Sequence, residues 1–203
     1  MNTQTGTSQA LIAAARHLFA KHGYKGSSVR AIARLARANL GAISYHFGSK
    51  EALYEAVITS LTQPFRAQVQ EVSREPGPPL ERLERLVRKF FEYFGKHPEL
   101  PRLIMHQLAS DQPMPPAALR VLRANHGTLV ELIEAGQHDG SIRPGNARLM
   151  ALSIAAQPIF LSLMRPVLRE AVAIDRDDSS SWKHVEDSVV SFVRAGLVTS
   201  PEV

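Results

Sequence analysis

Apolar residues recur three and four positions apart along almost the whole chain, which is the spacing of one face of an α-helix. Sustained alternation of apolar and polar residues, which would indicate strands, is absent from the sequence. Gly23 is a residue type that ends helices, and Ser28, Asn39 and Ser49 are types that cap helix starts. In this first part of the chain the pattern predicts four helices, over residues 8–22, 28–36, 40–47 and 50–71.

Beyond the proline-rich run at residues 76–79 the helical pattern resumes. It predicts five more helices, over residues 80–96, 99–109, 117–138, 146–173 and 181–197. Proline, glycine or short polar runs lie in most of the gaps between these segments, as is typical of helix connections. The predicted fold class is therefore all-α.

The eighth predicted helix is apolar nearly all round, because residues Leu149 to Met164 carry no formal charge. Spanning a bilayer takes about 20 such residues, and this run also contains Pro158. The sequence therefore predicts a helix that is buried between helices or between subunits, and no membrane span.

The last predicted helix carries a straight seam of large residues. Its members step alternately by three and four residues: Trp182, Val185, Val189 and Phe192. Such a seam suits a facing helix, so we expect these residues to form a homodimer interface with the apolar eighth helix. Ordinary packing within one chain is the alternative.

The positive charge of the chain lies in its first quarter. The net charge of the 203 residues is +5. Residues 1–55 hold seven Lys or Arg against two Glu, whereas the remainder holds 17 basic and 17 acidic residues. A local basic excess favours an acidic partner such as nucleic acid or anionic lipid, although a solvated charged face gives the same composition. Residues 1–8 are polar and predict no signal peptide.

The short third helix has two different faces. Leu40, Ile43 and Phe47 share one face, which we expect to be anchored in a core. The opposite face has no acid and carries only small or hydrogen-bonding residues: Asn39, Gly41, Ala42, Ser44, Tyr45 and His46. A helix that enters a major groove about 12 Å wide needs such a face, and three short helices before a longer one form a helix-turn-helix pattern.

Three stretches make this pattern specific: AARHLFAKHGY at 14–24, SVRAIA at 28–33 and LGAISYHFGSKEAL at 40–53. Together they resemble the DNA-binding domain of the TetR (tetracycline repressor) family. The resemblance implies an N-terminal helix-turn-helix domain over residues 1–55. It also implies a C-terminal helical domain for effector binding and dimerisation over residues 56–203.

The resemblance also implies roles for individual residues. Tyr45 and Lys50 correspond to phosphate contacts, and Ser28 and Arg30 lie where the second helix meets the DNA backbone. The exposed positions of the recognition helix are Asn39, Gly41, Ala42 and Ser44. His46 either touches DNA or interacts with the helix dipole. Arg37 stands where the family often has Gly, so we expect a strained or altered turn and an added cation beside DNA.

The sequence contains few residue patterns that would support catalysis or bind a cofactor. It contains no cysteine, no Gly-x-Gly-x-x-Gly loop, no complete P-loop and no Glu-x-x-His pair. We therefore expect no catalytic residues, no metal site, no cofactor and no enzymatic activity.

Apolar and polarizable residues of the second domain supply material for a ligand pocket. We expect His106 or Gln157 to fix the orientation of an apolar or aromatic effector. The residues expected to contact this effector are Phe91, Met105, His106, Gln157, Phe160 and Met164. Ordinary core packing explains the same residues nearly as well.

The sequence thus favours a cytoplasmic homodimer that binds double-stranded, palindromic operator DNA and represses transcription until a small effector releases it. The alternative is an effector-independent architectural or cell-organisation protein that is bound to DNA and gated by a protein partner. An apolar pocket would favour the repressor, and a filled core with an exposed hydrophobic patch would favour the alternative.

Overall fold

The computed structural model describes residues 3–110, 113–172 and 179–198, which confirm the all-α prediction. The described residues form nine helices and no strand: α1 Thr3–Gly26, α2 Val29–Leu35, α3 Gly41–Phe47, α4 Lys50–Ser73, α5 Pro79–Lys96, α6 Glu99–Leu108, α7 Pro116–His138, α8 Ala147–Val172 and α9 Ser179–Leu197. Every helix predicted from periodicity is present, with ends shifted by a few residues.

Local chemistry explains where the first helices end and begin. Gly23 has φ 70° and ψ 174°, so α1 is broken at the glycine that the sequence singles out. The Ser28 Oγ accepts a hydrogen bond from the Ala31 N–H at 3.1 Å. The Ser49 Oγ does the same for the Ala52 N–H at 3.1 Å. Both serines therefore satisfy backbone donors that a helix start leaves without partners.

The first compact unit comprises Met1–Pro64 together with Glu99–Val121. Its core is formed by side chains of α1 to α4 that are almost fully buried: Leu11, Ala15, Phe19, Ile32, Ile43, Leu53 and Val57. Helix α6 packs against α1, where the Arg16 Nε lies 3.3 Å from the Glu99 Oε1. The unit thus includes α6, which the sequence division at residue 55 assigns to the second domain.

The second compact unit comprises Phe65–Pro98 together with Leu122–Val203. Helix α5 packs against both α8 and α9. Phe65 lies at the centre of an aromatic cluster, with ring centroids 4.7 Å from Tyr93, 5.0 Å from Phe90 and 5.3 Å from Phe94. Aromatic side chains bury large apolar areas, so this cluster is a main source of the unit's stability.

One face of helix α8 is exposed within its own chain. Leu149, Leu152 and Phe160 are 62%, 59% and 55% exposed, whereas Ala151 and Ile154 are buried. Of the two predicted kinds of burial, between helices and between subunits, the first therefore holds only for the other face of α8. Within the described part of the chain, the stretch Ala147–Leu168 has the length and hydropathy of a bilayer span, a test that core helices of soluble proteins also pass.

The residues of the seam predicted on α9 differ in burial in the structure. Val185 and Val189 are buried within the second unit, which removes them from the surface that the sequence assigned to a facing copy. The buried stripe of α9 advances in steps of four, through Val185, Val189, Val193 and Leu197, and it leaves Phe192 69% exposed. Trp182 packs edge-on against Phe91, with ring centroids 5.8 Å apart.

Candidate DNA-binding site

Helices α2 and α3 of the first unit are anchored by a few apolar side chains. Ile32, Ala33 and Ile43 are buried, and Phe47 is half-buried. The expectation that Leu40 is a core anchor is wrong, because its side chain is 47% exposed. The physical reason is that α3 begins at Gly41, so that Leu40 stands at the cap position before the helix.

The outward face of α3 presents the residues that the sequence assigned to DNA. Gly41, Ser44 and Tyr45 are exposed, whereas Ala42 and His46 are half-buried. The His46 ring lies edge-on to the Tyr45 ring, with centroids 5.0 Å apart. No acidic residue occurs between positions 29 and 50, so this face does not repel a phosphate backbone.

Asn39 has a structural role at the start of α3. Its Oδ1 accepts a hydrogen bond from the Gly41 N–H at 3.0 Å. This Asx turn fixes the first turn of a helix of only seven residues. Because the amide oxygen is engaged with the backbone, the Nδ2 donor is the group that remains for a base edge.

The turn between α2 and α3 stores backbone strain at Arg37. Among the described residues, Arg37 is the one non-glycine with positive φ, at 53°. Its neighbour Ala38 donates a backbone hydrogen bond to the Ala33 carbonyl at 2.9 Å, which closes the end of α2. The left-handed conformation needed for this closure brings Cβ against the carbonyl of an L-residue. The expected strain is confirmed, and the Arg37 side chain is exposed.

We expect Arg37→Gly to raise the free energy of unfolding by about 1 kcal/mol, because glycine adopts positive φ without this clash. Chemical denaturation of the two chains measures the difference. The matched control is Arg34→Gly, in the regular part of α2, which should lower the same quantity by about 1 kcal/mol. Stability changes of the same sign in both variants would contradict strain at Arg37.

Lys50, at the start of α4, is held by Tyr24, a residue that the sequence analysis did not single out. The Lys50 Nζ donates a hydrogen bond to the Tyr24 carbonyl at 2.6 Å and lies 4.2 Å from the centroid of the Tyr24 ring. The Tyr24 hydroxyl in turn donates to the Glu51 carboxylate. Tyr24 directly follows the break at Gly23, and an aromatic residue at such a break is the signal that could have identified it.

The same contacts shift three pKa values. Burial, with the hydrogen bond to Glu51, raises the pKa of Tyr24 to about 12. That hydrogen bond lowers the pKa of the Glu51 carboxyl. Burial lowers the pKa of Lys50, against the attraction of Glu51. The ammonium of Lys50 is therefore fixed in place and partly dehydrated, which preorganises it for contact with an anion.

The six residues assigned to an effector are divided between the two units. Met105 and His106 lie on α6 in the first unit, where the His106 ring packs near Gly23. Phe91 is 1% exposed and belongs to the core of the second unit, whereas Phe160 is more than half exposed. The Gln157 Nε2 donates to the Ser153 carbonyl of its own helix at 3.5 Å, and Met164 is half-buried. Effector contact with these residues stays a prediction.

The second unit contains other cavities. One of about 350 Å³ lies between α8 and α9 and is lined by Leu161, Leu168 and Val185 among others. A second, of about 300 Å³, involves α4, α5 and α7. Neither is lined by any of the six expected residues. Among the described residues, no group of His, Asp or Glu is arranged to hold a metal ion.

Two family models match this chain. Residues 11–57 match bacterial regulatory proteins of the tetR family, and residues 79–193 match the tetracyclin repressor-like C-terminal domain. The HTH-type transcriptional repressor NicS of Pseudomonas putida is 29% identical over 185 residues, which cover 86% of this chain and 84% of NicS.

Solved structures share the fold. A tetR-family regulatory protein of Rhodococcus RHA1 has a TM-score of 0.80 at 20% identity, covering 99% of this chain and 100% of the other. FadR of Bacillus subtilis, in complex with stearoyl-CoA, has a TM-score of 0.75 at 19% identity, covering 93% and 98%. Since the two family models together cover most of its residues, the chain belongs to the TetR family of helix-turn-helix transcriptional regulators.

Proposed function

We propose that this protein is a homodimeric transcriptional repressor that binds a pseudo-palindromic operator in the cytoplasm and is released from it by a small effector. The observation that carries the proposal is the exposed, acid-free face of α3. The exposed cations Arg30, Arg34 and Arg37 lie on and just after α2 and add positive charge to the same unit. A small, polar helix face flanked by cations suits a major groove bordered by phosphates.

The proposal divides the contacts into two kinds. Phosphate contacts come from Tyr45 and Lys50, with Ser28 and Arg30 at the start of α2; they position the protein on any duplex. Base contacts come from α3, where Ser44 offers a hydroxyl. Gly41 and Ala42 allow the helix backbone to approach the bases closely, and half-buried His46 lies at the edge of this surface.

Lys50→Ala should weaken binding to every duplex sequence and reduce the salt slope of log K by about 1 per subunit, because one phosphate contact is lost. Fluorescence anisotropy at several salt concentrations measures both quantities. Lys96→Ala removes the same charge from the exposed end of α5 in the second unit and should leave the slope unchanged. A changed sequence preference with an unchanged slope would contradict the proposed placement of Lys50.

The exposed apolar face of α8 supports the dimer. Leu149, Leu152, Phe160 and Val167 are all at least 45% exposed, and their spacings of three, eight and seven residues place them on one helix face. A contiguous apolar face of this kind normally marks an interface. Phe192 on α9 adds a further exposed aromatic ring, so we assign this surface to a second copy of the chain.

The proposed effector binds the second unit and favours a dimer whose recognition helices do not match the operator. By linkage, DNA must weaken effector binding by the same factor, typically about 5- to 150-fold. Stearoyl-CoA, which FadR binds, makes acyl-CoA thioesters one class to screen beside apolar and aromatic acids.

Selection of bound sequences from random duplex DNA tests the function most directly. We expect inverted half-sites separated by about 34–36 Å, or a multiple of this spacing, because two α3 helices related by a two-fold axis must reach one face of the duplex. Enrichment of a single half-site, or of no sequence, would contradict the proposed operator.

An architectural DNA-bound protein remains the second candidate, because the structure combines a filled aromatic core around Phe65 with an exposed apolar face on α8. This second candidate requires that the exposed face of α8 bind a different protein. Sedimentation of the purified chain distinguishes the two candidates, since a stable homodimer covers α8 without any other partner.

A further inference from the structure

One cavity of the second unit has an unusual charge. About 300 Å³ in volume, it lies at the C-terminal end of α4, the start of α5 and the middle of α7. Its lining contains three arginines, Arg66, Arg74 and Arg82, against one acid, Glu131. Gln70 and Thr128 supply further polar groups. A concave surface with a net charge of +2 attracts anions, since its walls focus the field.

Arg66 and Arg82 are half-buried, and Arg66 makes the larger number of hydrogen bonds. Its Nη1 donates to the Ala124 carbonyl at 3.1 Å, to the Asn125 Oδ1 at 3.3 Å and to the Thr128 Oγ1 at 2.8 Å. These acceptors are all neutral, and among the described residues no carboxylate lies within 4.0 Å of the guanidinium. Burial lowers the pKa of Arg66, and nearby Arg74 lowers it further, whereas Glu131 raises it. The side chain is thus rigidly held, and Glu131 attracts it without a direct ion pair among the described residues.

The other two arginines also keep donors for a ligand. Arg82 Nη2 donates to the Ser73 carbonyl at the end of α4, which is an ordinary helix-capping contact. Its Nε is buried and has no hydrogen-bond partner. Arg74 is exposed beside Arg66. Capping of α4 therefore explains one contact of Arg82, but it does not explain the buried Nε or the positions of the two other guanidinium groups.

We propose that this cavity is an anion-binding site that takes the carboxylate or phosphate group of a small ligand between Arg66, Arg74 and Arg82. Guanidinium groups present planar pairs of donors that match both groups, and such charge-assisted hydrogen bonds are strong. The volume lies at the lower end of small-molecule sites, so the site suits a compact acid or the anionic end of a larger molecule.

The position of the site gives it a regulatory use, and this part rests on the proposed function. Arg66 and Gln70 belong to α4, the helix whose first residue is Lys50, and Arg74 directly follows the last residue of that helix. An anion that draws Arg74 and Arg82 together contacts the same continuous helix that carries a proposed phosphate contact. Anion binding is then the event that favours the dimer whose recognition helices do not match the operator.

The test uses the full chain with sodium phosphate, sodium succinate and sodium chloride at equal ionic strength. Phosphate, succinate or both should raise the midpoint of thermal unfolding above that in chloride, because a ligand that binds the native state stabilises it. Both anions can also stabilise a protein by exclusion from its surface, so only the part of the shift that is lost in the Arg74→Gln variant is assigned to the site. Such a shift in phosphate alone identifies a phosphate-bearing ligand, and one in succinate alone identifies a carboxylic acid. Equal midpoints in all three salts would overturn the proposal.

Arg74→Gln is the decisive variant, because the Arg74 side chain is exposed and, within the described residues, makes no hydrogen bond that the fold would lose. The dissociation constant for the stabilising anion, from isothermal titration, should rise about tenfold or more. Arg123→Gln, exposed on α7 outside the cavity, should leave it unchanged. Equal weakening in both variants would show general charge screening and overturn the site.

Operator binding separates this proposal from the proposed function. If both hold, the stabilising anion changes the affinity of the wild-type chain for its selected operator, and Arg74→Gln blunts that change while binding the operator normally. A chain that binds the anion through Arg74 but selects no DNA sequence keeps the anion site and refutes the repressor. A chain that selects an operator but shows no anion binding supports the repressor and refutes the anion site.

Discussion

A chain that carries both Leu152→Asp and Phe160→Asp is expected to be monomeric and to bind its operator about 100-fold more weakly or worse. Both side chains are more than half exposed on one face of α8. A second copy that covers this face would have to bury two unpaired carboxylates, which is strongly unfavourable. A monomer then engages only one half-site, and the gain from linking two recognition helices is lost.

The matched control replaces two other exposed leucines. Leu108→Asp and Leu122→Asp together remove side chains that are 66% and 46% exposed, on α6 and α7, and should leave both the dimer and operator affinity intact. Analytical ultracentrifugation gives the oligomeric state, and circular dichroism verifies that both double variants remain helical. A dimer that survives the change on α8 would place the interface elsewhere.

The choice of α8 over α9 shows what the sequence could not supply. The sequence predicts an interface from the α9 seam and α8 together, but Val185 and Val189 of the seam are buried in their own chain. Val189→Asp would therefore disrupt the second unit before it tested any interface. A repeat of apolar residues indicates that a helix face is covered, and it does not indicate whether the cover comes from the same chain or from another copy.

The helices and the exposed face of α3 could be predicted because their causes are local. Capping by Ser28 and Ser49 acts within three residues, and the break at Gly23 follows from one backbone conformation. The outward face of α3 depends on residue types within a single seven-residue helix. Each of these signals is contained in a short stretch of sequence, so helical periodicity and residue chemistry are sufficient to find it.

The lining of the cavity that involves α4, α5 and α7 could not be predicted from the sequence, because it depends on tertiary packing. His106 packs near Gly23, 83 positions earlier in the chain, and α6 thereby joins the first unit. Arg66 reaches acceptors on α7 from α4, across 58 to 62 positions. Such pairings depend on which helix faces meet. A selection of apolar residues by type alone includes core side chains such as Phe91 as readily as side chains that line a pocket.

Ser44→Glu is expected to weaken binding to operator and to unrelated duplex DNA about 100-fold or more, because it places a carboxylate on the exposed face of α3 beside phosphates. The fold should be unaffected, since Ser44 is exposed in mid-helix and glutamate is a good helix former. Gln63→Glu, on an exposed position of α4, introduces the same charge and should preserve binding.

Ser44→Ala completes the test, because it removes the hydroxyl without adding charge. It should relax the preference at one or two base pairs, at a cost of about 1–3 kcal/mol at the preferred site, while non-specific affinity stays the same. Competition binding at fixed salt measures these differences. The two substitutions thus separate repulsion of the DNA backbone from loss of a base contact at one position. If Ser44→Glu bound operator like wild type, α3 would not be the helix that enters the major groove.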